Sequence, residues 1–188
     1  MKLISEKKGT ELLTLARASI FNEKSRVLDT QLSPFGAFIT LFVNGKERGC
    51  AGNPYPKSSL NRLVQECAIF AATKDPRFPK INNNESNDTD ILLSILTYPK
   101  VIKPEEIIIG VHGLIVTQGS HSALHLPHVA KEYGWDVETL LQKTCLKGDL
   151  PKDAWKQDVE ISSFETQRFF EELRTKKIPP IRKIIPPI

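Results

Sequence analysis

The sequence has little cysteine, a single methionine and no long apolar run. Of its 188 residues only three are cysteine, Cys50, Cys67 and Cys145, far apart and without a CxxC pair. An odd set at that spacing excludes a closed disulfide framework and a CxxC zinc site, and it reads as a reduced, intracellular chain. The start, Met1-Lys2-Leu3-Ile4-Ser5-Glu6-Lys7-Lys8, lacks the apolar core of a signal peptide, and no apolar stretch approaches the roughly 20 residues that span a bilayer. A cytoplasmic location without membrane association is expected. There is no P-loop, no GxGxxG, no GxSxG and no HExxH, so triphosphate, dinucleotide, serine-hydrolase and zincin chemistries lack their usual supports. No cofactor is indicated.

What remains is an ordinary globular composition, 40% hydrophobic and 26% charged, with a formal net charge of +4. That excess is local. Leu173 to Ile188 holds Arg174, Lys176, Lys177, Arg182 and Lys183 and no acidic residue, which leaves residues 1–172 with 21 basic against 22 acidic groups. The body is therefore neutral and shows no electrostatic footprint of a nucleic-acid-binding domain. The end reads as a separate basic, proline-rich tail over 178–188, Ile178-Pro179-Pro180-Ile181 being mirrored by Ile185-Pro186-Pro187-Ile188. Such a tail can lie extended against a neighbouring subunit of a homo-oligomer.

Periodicity along the body predicts a mixed set of elements. Leu12, Leu13, Ala16 and Ile20 give an amphipathic helix from Thr10 to about Asn22. Phe35 to Val43 is apolar on both alternating faces, as a doubly buried strand would be, and Asn44-Gly45 then predicts a type I′ hairpin with Lys46 to Cys50 returning. Ser58 or Ser59 caps a helix bearing Leu60, Leu63, Val64, Cys67 and Ala71, ended by Asp75-Pro76. The polar run Ile81 to Asp90 reads as a mobile surface loop before a strand from Ile91 to Thr97. Ile107-Ile108-Ile109 and Gly113 to Thr117 are strand-like, Pro127 opens a short helix to Tyr133, and Asp136 caps another to about Leu146, stopped by Gly148. Val159 to Phe164 alternates as a last strand, and the Arg/Glu-rich stretch from about Glu165 to Lys176 reads as a helix. Strands and helices do not alternate strictly, so the class is α+β.

The densest unusual segment is Arg48-Gly49-Cys50-Ala51-Gly52. Glycines around a cysteine suit a tight turn whose N–H groups can form an anion-binding nest, and an adjacent Arg48 would favour a nucleophilic Cys50 thiolate. The alternative is a structural turn around a small buried thiol. Cys67 and Cys145 fall on apolar helix faces and read as core. His121, His125 and His128 invite a metal reading, but Gly119 and Pro127 keep them off one helix and no further ligand stands at the right spacing, so no metal is assigned. His112, flanked by Gly110 and Gly113, can act as a base or an orienting donor, although a plain loop histidine has the same appearance.

Taken together, these segments resemble the AMMECR-one domain family, whose microbial relatives are often labelled protein A of the AmmeMemoRadiSam system. Gly36-Ala37-Phe38-Ile39-Thr40-Leu41 is similar to the family's G-x-F-V-T-L, Glu47-Arg48-Gly49-Cys50-Ala51-Gly52 to its L-R-G-C-I-G, and Ala71-Ala72-Thr73-Lys74-Asp75-Pro76-Arg77-Phe78 to its A-A-x-x-D-P-R-F. Val111-His112-Gly113-Leu114-Ile115-Val116 resembles K-H-G-L-I-V, Leu126-Pro127-His128-Val129-Ala130 resembles L-P-Q-V-A, and Lys147-Gly148-Asp149-Leu150 with Trp155 resembles K-A-G-L and its following tryptophan. Glu47 and Ala51 replace apolar residues of the family pattern. The resemblance implies one domain over 1–177, α+β, with a larger mixed-sheet subdomain flanked by helices, a smaller subdomain and a cleft between them near Arg-Gly-Cys. It fixes no reaction.

Three functional readings follow. In the first, a small-molecule ligand or substrate sits in the cleft, with Cys50 as nucleophile or redox thiol, His112 as base, and Arg48, Gly49, Gly52, Arg77 and Gly113 around the ligand. The second is a non-catalytic binding or scaffold protein in which Arg-Gly-Cys fixes a turn and Arg77 ties its loop to the sheet; the resemblance implies Memo-like and radical S-adenosylmethionine proteins as partners. The third, a nucleic-acid-associated regulator, rests on the tail alone.

Overall fold

A computed structural model describes residues 2–21, 31–157 and 159–171. The basic tail and the oligomer contact expected of it lie outside the described residues. The chain forms two compact units: the described residues up to Tyr98, rejoined from Gln167 on, and Pro99–Thr166. The fold is α+β, and each unit has its own four-stranded sheet. Among the described residues no helix is long and apolar enough to cross a membrane.

In the first unit, α1 (Glu6–Phe21) begins four residues before the apolar stripe predicts, because the Ser5 hydroxyl accepts the Lys8 N–H at 3.2 Å and starts the helix there. β1 (Gly36–Val43) and β2 (Lys46–Asn53) form the hairpin that Asn44-Gly45 predicts, with φ of 52° and 74° at the two turn residues. Apart from Thr40, β1 is apolar on both faces because it is an inner strand: Ala37, Ile39 and Leu41 pack into the core formed with α1 and α2 (Leu60–Thr73). Of the two candidate caps of α2 it is Ser59 that accepts the Arg62 N–H, at 3.3 Å. β3 (Thr89–Leu96) lies on the other side of β1.

The stretch from Glu165 is not a helix. Thr166–Glu171 forms a strand, the eighth in chain order (β8), and completes the sheet order β2-β1-β3-β8. The reason is visible in its two-residue period. The Gln167 side chain accepts the Leu3 and Ile4 N–H groups, Phe169 is buried where its ring occupies the space a Cβ on Gly9 would need, and Glu171 pairs with Arg17 of α1 at 2.7 Å. Three alternate residues thus meet the N-terminal segment and α1, which overrides the helical propensity of the charged composition. Residues 172–176 lie outside the described residues.

The second unit, inserted in sequence between β3 and β8, contains β4 (Lys100–Val101), β5 (Gly113–Gln118), β6 (His121–His125), α3 (Pro127–Tyr133), α4 (Val137–Lys147) and β7 (Glu160–Phe164), in sheet order β4-β7-β5-β6. Leu114, Val116, Leu140, Leu141, Cys145 and Ile161 form its core. Ile107-Ile108-Ile109 is not a strand. A 3₁₀ turn at Pro104–Glu106, capped by the Glu106 carboxylate on the Lys103 N–H at 2.9 Å, leads into a turn in which Ile107 is buried and Ile108 is 56% exposed.

Candidate functional site

The Arg-Gly-Cys segment is part of β2 and not a turn. Leu41 of β1 pairs with Gly49 and Phe42 with Glu47, so Arg48 is the extra residue of a β-bulge. A bulge re-aims its side chain. The Arg48 guanidinium reaches the segment after α2, where one terminal nitrogen donates to the Pro79 carbonyl and the other to both Glu85 oxygens at 3.0 and 3.2 Å. The run from Ile81 to Asp90 is accordingly held in place: Asn83–Asp88 forms a 3₁₀ turn, and Arg17 also donates to its Ser86 carbonyl at 3.0 Å. The Asn82 N–H, and then Arg48, hold the Glu85 carboxyl below its ordinary value.

Gly49 is required by packing. A Cβ there would lie 2.0 Å from the Ala71 carbonyl oxygen, so α2 touches the sheet backbone at this point. Gly52 leaves room for the Phe38 ring in the same way. The Cys50 N–H donates to Asp75 Oδ2 at 2.8 Å, and its half-buried thiol accepts from the Thr40 hydroxyl at 3.3 Å. The Asp75 side chain, only 4% exposed, also accepts from Arg77 N, Nε and Nη2 at 3.1, 3.1 and 2.8 Å. Arg77 Nη2 further donates to Glu47 at 3.3 Å, and the guanidinium lies over the Phe78 ring. Burial pushes the Asp75 carboxyl up, but the Arg77 guanidinium and the Cys50 and Arg77 N–H groups outweigh it and hold the group below 3.8.

The structure therefore brings Arg48, Gly49, Cys50, Gly52 and Arg77 together in the first unit, while His112 and Gly113 belong to the second. His112 Nδ1 accepts the Ile108 N–H at 3.1 Å, which places the proton of the neutral ring on Nε2. Gly113 is needed because a Cβ would meet the Phe164 ring. His121 Nδ1 donates to the Gly148 carbonyl at 3.1 Å, and His125 Nδ1 donates to Thr144 Oγ1 at 2.9 Å, since that hydroxyl's own proton goes to the Leu140 carbonyl. His121 and His125 stand on β6 and His128 on α3. Cys67 and Cys145 are core residues, and burial pushes the Cys67 thiol up to about 12.

Burial, reinforced by Lys147 and Lys143, pushes His125 down from 6.5 to about 3. Because the unfolded chain takes up a proton near pH 6.5 and the folded chain does not, stability falls as pH drops from 6.5 toward 3, by at most about 1.4 kcal/mol per pH unit. Urea unfolding midpoints across that range check this, and His125→Gln is expected to flatten the profile.

Sequence reasoning missed the acidic half of the site, Asp75, Glu85 and Glu47. Asp75-Pro76 serves as a helix terminator, but an aspartate also accepts the N–H two residues on, and this local bond is the signal that fixes its carboxylate beside Arg77.

The AMMECR1 family model matches residues 6–169. A Methanosarcina barkeri protein is 40% identical over 188 residues, covering 90% of this chain and 93% of its own length. Protein MJ0810 of Methanocaldococcus jannaschii is 40% identical over 193 residues, with 94% and 96% covered. The crystal structure of the uncharacterized protein PH0010 from Pyrococcus horikoshii superposes with a TM-score of 0.82 at 34% identity, covering 90% of this chain and 94% of that one.

Proposed function

The chain belongs to the AMMECR1 family, and from that premise we propose that it is a non-catalytic binding protein whose Arg-Gly-Cys segment is a structural clasp. One observation carries this reading: the polar groups of that segment are engaged within the protein itself. Both terminal nitrogens of Arg48 bond to Pro79 and Glu85, the Cys50 N–H is given to Asp75, and Arg77 is divided between Asp75 and Glu47. An anion anchor or a nest would need those donors turned toward a ligand.

In this reading the contact surface lies outside the clasp, and the Memo-like and radical S-adenosylmethionine proteins implied by the resemblance are met as protein partners. Ile108 and Val111, 56% and 42% exposed, stand on one turn beside His112 in the second unit, and exposed apolar side chains grouped in this way suit a protein contact. Cys50 is half-buried while the other two cysteines are buried, so alkylation of the folded protein reports on it. Its rate at pH 7 is expected to be no greater than that of the same thiol in the urea-unfolded chain. A folded-state rate about tenfold faster would replace the clasp with the nucleophile reading.

A further inference from the structure

Among the described residues β2 is an edge of the first sheet, and an edge strand offers its backbone to any strand it meets. Its two halves are protected differently. Lys46, Glu47 and Arg48 put three charges on the first half, and the bulge at Arg48 interrupts the ladder there. The second half, Gly49-Cys50-Ala51-Gly52, carries neither charge nor a bulky side chain. At its centre the Cys50 N–H is occupied by Asp75 at 2.8 Å. Asp75 opens the segment that follows α2, and this segment is fastened to β2 along its length: Arg77 donates to Glu47, and Arg48 donates to Pro79 and to Glu85.

We infer that Asp75–Glu85 is an edge cover that keeps the uncharged half of β2 from pairing with the same half of a second copy of this chain. A second copy fits this edge because antiparallel pairing of identical strands is self-complementary. Centred on Ala51, such pairing sets Cys50, whose N–H points to the open edge, opposite Gly52, with nothing larger than cysteine over the central three residues. It also sets Lys46, Glu47 and Arg48 of each copy opposite Pro54 to Pro56 of the other, so no like charges face each other.

The test compares sedimentation of the full chain over a range of concentrations with amide exchange read at single residues. Asp75→Ala is expected to self-associate with a dissociation constant at least about tenfold below that of the wild type. Its Cys50 and Gly52 amides are expected to exchange rapidly in dilute solution and slowly when concentrated. Arg77→Ala alters a side chain that is 55% exposed, so it preserves the fold while loosening Asp75, and it is expected to show the same behaviour more weakly. Leu140→Ala, which opens a cavity in the core of the second unit, serves as a destabilised control that stays monomeric. The inference fails if folded Arg77→Ala remains as monomeric as the wild type, if Leu140→Ala associates equally, or if concentration protects amides elsewhere and not at Cys50 and Gly52.

Discussion

Gly49→Ala is expected to lower stability by about 3 kcal/mol or more, the upper range for overpacking, read as a drop in the urea midpoint with an unchanged slope. A methyl group at this position would stand 2.0 Å from the Ala71 carbonyl oxygen and 2.8 Å from its carbon. Both are backbone atoms of α2, so no rotamer change makes room; the helix has to lift from β2, and Leu63, Val64 and Ala68 lose their packing with it. Gly119 supplies the contrast. It has φ of 59° and a methyl group there would meet nothing within 4 Å, so alanine costs only the strain of the left-handed backbone, about 1 kcal/mol. Equal losses at the two positions would contradict the close approach of helix and strand.

Asp75→Ala is expected to cost about 3 kcal/mol, because it removes the acceptor for Cys50 N and for three Arg77 nitrogens from a side chain that is almost wholly buried. Asp75→Asn is the informative companion. It keeps an acceptor for the Cys50 N–H but removes the charge that faces Arg77, and it should fall between alanine and the wild type. The pH dependence has a definite sign. Since the folded carboxyl is held below its ordinary 3.8, its stabilising contribution is complete above that pH and is lost as pH falls through the lowered folded value. Chemical unfolding of the wild type and Asp75→Asn between pH 5 and pH 2 separates this loss from that at His125, which begins nearer pH 6.5. A wild-type profile identical to that of Asp75→Asn below pH 4 would show that the carboxylate carries no charge-dependent stability.

Much of the fold could be read from single residues with local effects. Asn44-Gly45 can occupy two positive-φ positions in succession, Ser59 and Asp136 have oxygens that reach the N–H three residues on, and Gly148 caps the end of α4. Expectation and structure part where a distant partner decides the outcome. Nothing local to Glu165-Thr166-Gln167-Arg168-Phe169 announces a strand; Leu3, Ile4 and Gly9, more than 150 residues away, select it. Ile107-Ile108-Ile109 has strand composition, but Glu106 captures the Lys103 N–H first and the chain turns. The same division runs through the candidate site. Arg48, Gly49 and Cys50 stand out in the sequence, yet the bulge that directs Arg48 is a property of the register with β1, and the carboxylates that bond to Cys50 and Arg48 are 25 and 37 residues further on.

The insertion of the second unit between neighbouring strands of the first sets an order of events on the ribosome. When Leu96 has been made, β1, β2 and β3 can already pair, but the strand that belongs on the far side of β3 begins only at Thr166. At about 5–20 residues per second, the intervening segment takes on the order of ten seconds to emerge. During that interval the nascent sheet carries an open flank on β3, and Leu3 and Ile4 wait for a glutamine 164 and 163 residues downstream. The inserted unit closes its own sheet within 99–166, so the bonds from Leu3 and Ile4 to Gln167 join segments that are made before and after a unit with a complete sheet of its own.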